Sequence, residues 1–342
     1  MVATRQYRKP GLTWTENALT SNIDEAILTM KVSYSMDLCA QIDVSIHDPM
    51  FEMAWRNYFW VTRDVWYRAA TRHEYNRFAD SSPGEHNLIK QLFEVASVSV
   101  KQGPARGPLW DLQLRTKAIQ QLKRDRGAQS TAGSTGNYVS RVATEFGLIP
   151  IIQHTTEGDP GEVNQFEAGK QRGDSKWDVI KRLAGSAGGT GEDQDNPQYV
   201  AFETNGYLFF CSMRWLLGKW GTHSGRGQYR DPVTNSIKEK DFNYVPVSWP
   251  PKPNALVQLM QIPTVRKSDN DPLEVTGSMN VAREVGMSMR PGMTVKLDGI
   301  PTMEGYYLIN SVEFDPLGTT PVAVGFRSPE RLSKNIREFS VK

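Results

Sequence analysis

The feature that most constrains this chain is a strict two-residue alternation near its start. Leu28, Met30, Val32 and Tyr34 alternate with polar residues, and Leu38, Ala40, Ile42, Val44 and Ile46 do the same. Successive side chains on a strand point to opposite faces, so this pattern predicts strands with one buried face and one solvated or partnered face. Asp48-Pro49 ends the second run. A third strand is predicted over residues 58–67, which are rich in Phe, Trp, Val and Tyr. Phe93 and Val95 alternate in one phase, and Val98 and Val100 in the other. The slip at Ala96 predicts a β-bulge. Trp110, Leu112 and Leu114 close this set.

The period then changes. Leu114, Ala118 and Leu122 fall at i, i+4 and i+8 beside Ile119, so residues 112–126 are predicted to turn into a helix. Tyr138, Val139, Val142, Ala143 and Phe146 form a second helical face, stopped at Gly147. Residues 148–153 read as a short strand. Asp174 or Ser175 caps a third helix with a face of Trp177, Ile180, Leu183 and Ala184. Residues 199–202 and 207–211 are predicted to form a hairpin, because Asn205-Gly206 is the strongest two-residue turn signal. The last segment returns to strands, over 256–262, 295–297, 306–314 and 322–326. Ser328 and Pro329 then cap a terminal helix with the stripe Leu332, Ile336 and Phe339.

The predicted organisation is α+β, mainly β. A first tube-like β-barrel spans 1–115, an α+β insert 116–249, a second tube-like β-barrel 250–328 and a C-terminal helix 329–342. The matching strand patterns on either side of the insert predict that the two β segments share one topology despite unlike sequences. A length of 342 residues fits two or three domains at roughly 150 residues each. The 20 prolines and 28 glycines favour strands and turns over a helix bundle.

Chemistry is sparse. The five histidines, His47, His73, His86, His154 and His223, fall in no H-x-x-x-H or H-E-x-x-H arrangement, so no metal site is expected. There is no nucleophile elbow. Residues 185–191 are glycine-rich but follow a helix and lack a P-loop lysine, so they read as a helix terminator. Asp193 and Asp195 sit in a polar loop and read as solvated. No catalytic residue and no cofactor are expected. Cys39 and Cys211 read as small buried apolar residues. A net charge of +2 selects neither nucleic acid nor an anionic membrane. The basic cluster Lys123-Arg124-Asp125-Arg126 complements a helix C-terminus. No signal peptide and no apolar run of 18 residues are visible, so no membrane insertion and a reducing cytoplasm are expected.

Trp55, Tyr58, Phe59, Trp60, Trp66 and Tyr67 fall within thirteen residues. One barrel core does not need all of them. Trp55, Tyr58, Trp60 and Trp66 are therefore candidate interface residues, with Leu332, Ile336 and Phe339 of the terminal helix.

Three stretches, in order, resemble the phage tail hub family, meaning baseplate hub and late-control-type proteins and their siphophage tail-tip relatives. They are 42–49 (IDVSIHDP); 173–184 (GDSKWDVIKRLA) followed by 199–210 (YVAFETNGYLFF); and 289–295 (MRPGMTV) followed by 305–314 (GYYLINSVEF). The resemblance implies a structural protein of the virion tail, assembled in the host cytoplasm. It implies a homotrimer whose two barrels per subunit make six around a lumen, matching a hexameric tail tube. Implied partners are the tail tube or distal tail protein, the tape-measure protein, and tip, spike or other minor tail proteins. The resemblance also implies that DNA passes through the lumen without specific binding. The long polar tracts 70–90 and 212–250 depart from the family pattern, and no lysozyme or peptidase domain is expected. Two other classes remain as alternatives. A tail-associated cell-wall hydrolase would need a clustered His/Asp/Glu or Cys/His site, and a receptor- or carbohydrate-binding tail protein would use exposed aromatics.

Overall fold

The computed structural model describes residues 11–16, 19–22, 26–50, 64–70, 88–103, 107–126, 135–153, 174–187, 199–218, 223–230, 237–252, 257–267, 275–300 and 304–328. The first segment contributes β1 (Gly11–Glu16), β2 (Leu19–Asn22), β3 (Ile27–Ser35), β4 (Gln41–His47), β5 (Asp64–Ala70), β6 (Leu88–Gln102) and β7 (Pro108–Thr116). The middle segment contributes α1 (Lys117–Arg124), α2 (Thr135–Glu145), β8 (Ile149–Ile152), α3 (Lys176–Ala187), β9 (Tyr199–Thr204), β10 (Tyr207–Ser212) and the single turn α4 (Met213–Leu216). The last contributes β11 (His223–Arg230), β12 (Ile237–Ser248), β13 (Val257–Gln258), β14 (Thr264–Lys267), β15 (Val275–Val281), the single turn α5 (Arg283–Gly286), β16 (Thr294–Asp298), β17 (Gly305–Phe314) and β18 (Val322–Arg327). The class is α+β and mainly β, as the alternation predicts.

The two β segments carry the same strand order. In the first it is β3-β4-β7-β6-β5; in the last it is β14-β15-β18-β17-β16. Every neighbouring pair in both sets is antiparallel. Each set also has a register break at the same place, on its long fourth strand. It lies between Val95 and Ser97 in β6 and between Ile309 and Ser311 in β17. The first break is the bulge that the phase slip at Ala96 predicts. The skipped residue lets the strand keep its apolar side inward while its twist increases.

The two sets do not stand apart. The end of β17 pairs with β3, with Ser311 opposite Ser35 and Phe314 opposite Val32. Fifteen of the described strands therefore join in one hydrogen-bonded sheet. One apolar core includes Val32, Ile42 and Leu114 from the first set and Val295, Ile309 and Val324 from the last. The strand β12, expected within the insert, runs parallel to β16 and belongs to this sheet.

The middle segment forms a second layer. Here β8, β10 and β9 make a small sheet, with β8 parallel to β10. One face of the hairpin, Ala201, Leu208 and Phe210, packs under α1, α2 and α3 through Ile119, Val139, Val142, Ile180 and Leu183. The other face, Phe202, Phe209 and Cys211, packs on Leu308 of β17 and on Met36. Asn205 and Gly206 both have positive φ, +51° and +83°, as the tight Asn-Gly turn requires. Ser175 caps α3: its hydroxyl accepts from the Asp178 N–H, and the Asp178 carboxylate accepts from the Ser175 N–H. Among the described residues no helix is long and apolar enough to cross a membrane.

Several expectations are corrected. The helix predicted from residue 112 begins only at Lys117, because Leu112 and Leu114 belong to the alternation that continues β7. Leu28 and Leu38, counted with the buried phase, are exposed: Leu28 sits in the register break of β3, and Leu38 lies in the turn before β4. The strand expected over 256–262 is reduced to Val257–Gln258. The terminal helix predicted from Pro329 lies outside the described residues.

Candidate functional site

Two features organise the surface and the joints of this molecule. The first is a pair of open strand edges. Directly opposed residues run across the first set in rows: Val32, Ile42, Leu114 and Val95; then Met30, Val44, Leu112 and Val98; then Ile46, Trp110 and Val100. Each row lies on the core side. The long strand β6 runs past the end of β5, which pairs with β6 along Leu88–Glu94 alone. Among the described residues, the outer edge of Val95–Gln102 therefore has no ladder partner. Among the described strands, the short β14 pairs only with β15, so its outer edge has no described ladder partner either.

The opposite face of the first set is polar, and two of its lysines are paired with carboxylates. Lys31 pairs with Glu313 at 2.9 Å and Lys101 with Asp111 at 2.5 Å. The Ser45 hydroxyl donates to Asp111 at 2.6 Å. The Gln41 and Gln113 amides donate to Asp43. Hydrogen bonding from Lys101, then from Ser45, holds the Asp111 carboxyl below its usual range.

The second feature is a buried polar joint where the hairpin meets both sets. Glu203, at the end of β9, is 0% exposed. Its carboxylate accepts from the Gln91 amide at 2.8 Å, the Thr116 hydroxyl at 2.8 Å, the Gly206 N–H at 2.9 Å and, more weakly, the Ala40 N–H at 3.5 Å. Thr116 immediately precedes α1, yet its side chain does not cap that helix, because its hydroxyl is turned toward Glu203. Burial pushes the Glu203 carboxyl up, and the Gly206, Thr116 and Ala40 hydrogen bonds act against that rise. On the other side of the turn, the Arg290 guanidinium is 1% exposed. It donates to the Met287 and Met289 carbonyls at 2.6 Å each and to the Asn205 side chain at 3.2 Å. It lies over the Tyr34 ring at 4.5 Å from the centroid. Asn205 is thus held directly by Arg290 of the last segment, and Gly206 by Glu203 of its own hairpin, which Gln91 and Thr116 of the first segment hold in turn.

The sequence-predicted interface residues are not brought into this picture. Trp55, Tyr58, Trp60, Leu332, Ile336 and Phe339 lie outside the described residues. The backbone of Trp66 sits in β5, opposite Leu92 of β6 and Thr13 of β1. Among the described residues, no three His, Cys, Asp or Glu side chains form a metal-holding group. Cys39 and Cys211 are buried free thiols, as expected. Sequence reasoning missed Glu203 and Arg290 as a joint. The available signal was a carboxylate at the end of the apolar run 199–202, one residue before the Asn-Gly turn. Such a position demands internal partners.

No protein-family model matches the chain, and no curated protein matches it. The fold is similar to that of the 43 kDa tail protein of prophage MuSo2 from Shewanella oneidensis. That likeness has a TM-score of 0.52 at 10% identity and covers 97% of this chain and 100% of that one. It is also similar to the tail protein from Neisseria meningitidis MC58, with a TM-score of 0.53 at 10% identity, covering 96% of this chain and 99% of that one. At such identity the likeness is one of fold, and it extends end to end.

Proposed function

We propose, from a fold shared along nearly its whole length with two tail proteins, one of them from a prophage, that the chain is a structural hub of a phage tail. Three copies sit on the tail axis. Each contributes two strand sets of one topology, so three chains present six similar units to a hexameric tail tube. The tube or distal tail protein binds on one side, and the tape-measure end and the tip or spike proteins bind on the other. The aromatics Trp55, Tyr58, Trp60 and Trp66 and the stripe Leu332, Ile336 and Phe339 serve these contacts. The polar face of the first set lines the channel. Two of its lysines, Lys31 and Lys101, are matched by carboxylates, which lowers the positive charge it offers to passing phosphates. The role is mechanical rather than enzymatic.

The observation that carries this reading is the repeated strand order within a tail-protein fold. A symmetry-resolved electron micrograph of the assembled tail tests it. Three copies around the axis, between tube and tip, are expected. A different copy number, or a position off the axis, overturns the reading.

A further inference from the structure

The pairing of β17 with β3 is a joint between the two strand sets, and only half of what it implies is used within one chain. The fourth strand of the last set, β17, runs beyond its neighbour β16 and takes the first strand of the first set, β3, along its free end. The fourth strand of the first set is β6, and it also runs beyond its neighbour, β5. The first strand of the last set is β14. Within the chain, the free end of β6 and the outer edge of β14 have no described ladder partner.

The register makes the correspondence residue by residue. Ser97 is the first paired residue after the bulge in β6, opposite Gln113; Ser311 holds the same place in β17, opposite Gly325. Asp43 then corresponds to Ser278, because each faces that residue from the next strand. Lys31 in turn corresponds to Thr264. It follows that Val32 and Ser33 correspond to Val265 and Arg266, and Glu313 and Phe314 to Ser99 and Val100.

Burial separates the joined copy from the unjoined one. In β17, Val312 and Phe314 are 0% and 3% exposed under β3. At the matching places in β6, Val98 is only partly buried and Val100 is 48% exposed. The core face simply runs out at this edge. Long open strand edges with apolar flanks invite pairing by another strand.

We infer that the free end of β6 in one copy pairs antiparallel with β14 of the next copy, in the register that joins β17 to β3. This places Ser99 opposite Arg266 and Val100 opposite Val265. The contact is head-to-tail, so each copy uses both edges, and it closes into a ring in which internal and intermolecular joints alternate. The occupant is a second copy because the complementary edge, β14, is carried by this chain in the matching polarity and register. The inference rests on the hub reading for its copy number, while the joint itself is read from the sheet.

Disulfide trapping in assembled tails tests it. The variant Ser99→Cys with Arg266→Cys places one thiol on each edge, both at exposed positions, and the native Cys39 and Cys211 are buried. Neighbouring antiparallel pairs alternate between wide and close spacing. Val100→Cys with Val265→Cys is therefore the second pair, and Glu313→Cys with Ser33→Cys is the same joint within one chain. Oxidation of at least one intermolecular pair is expected to give a reducible band of three chain masses, with neither single variant cross-linking. The internal pair leaves the mass unchanged. Three copies on the axis with only monomer from both pairs overturn this joint and leave the hub reading standing. A dimer from either single variant overturns it in favour of two-fold pairing. Absence of the chain from the tail overturns both.

Discussion

The matched rows of the two strand sets show how one backbone plan accommodates different side chains. In the first set a row reads Val32, Ile42, Leu114, Val95; in the last it reads Val265, Gly277, Phe326, Ile309. The medium-sized pair Ile42 and Leu114 is replaced by a glycine and a large ring. A Cβ added at Gly277 would lie 2.4 Å from Cζ of Phe326 and 2.6 Å from the Thr264 carbonyl. Gly277→Ala is therefore an overpacking change. We expect it to cost on the order of 1–3 kcal/mol, read from urea unfolding. Adding Phe326→Leu should recover part of that loss, because it restores the division of volume found in the first set. If Gly277→Ala is as stable as the parent, the packing account of this row is wrong.

At the scale of elements, the β9–β10 hairpin is the piece that must sit correctly on two strand sets at once. Glu203 provides the acceptor for donors from β6, β7 and the turn itself. Glu203→Ala leaves those buried donors without an acceptor. It should cost about 3 kcal/mol, more than the same change at a solvated glutamate. The pH dependence has a definite sign. Burial raises the folded-state carboxyl above the ordinary glutamate value of 4.5, so the folded chain holds this proton more firmly than the unfolded chain. The stability from that proton is complete below the ordinary value and is lost as pH rises through the raised one. Two of the partners, the Thr116 hydroxyl and the Gln91 amide, can reorient to accept from a protonated carboxyl. Denaturation at a series of pH values should show Glu203→Gln gaining relative to the parent as pH rises across that interval. A difference that does not vary with pH would remove Glu203 as the titrating group.

At the scale of the molecule, one ladder of strands joins two sets with a shared order, and the hairpin layer caps the joint. The polar face of the first set bears on how the protein meets nucleic acid. With Lys31 and Lys101 paired to Glu313 and Asp111, few cations on this face are free to release counterions from DNA. Mobility-shift titration with duplex DNA should show binding no tighter than the non-specific range of roughly 10⁻⁴–10⁻⁶ M, and salt should weaken it further. Binding that is much tighter and dependent on Lys31 or Lys101 would exclude a free channel along this face.

Local order was legible in the sequence wherever burial imposes a period. The alternation over 30–34 and 40–46, the slip at Ala96, the Asn205-Gly206 turn and a cap at Asp174 or Ser175 each express a rule that acts within a few residues, so each could be read without tertiary knowledge. The strands 223–230 and 237–248 were not legible. Their sequences, HSGRGQYR and IKEKDFNYVPVS, carry no sustained apolar alternation, and the strands are joined by ladder pairing. The terminal aromatic and apolar candidates lie outside the described residues and remain part of the proposal. The union of β17 with β3 and the convergence of Glu203 with Gln91 and Thr116 were decided only by the tertiary structure. They bring together residues more than a hundred positions apart or in separate segments. Backbone edges carry no side-chain signature of the strand they will take, and a buried carboxylate reveals that it needs donors but not where in the chain those donors lie.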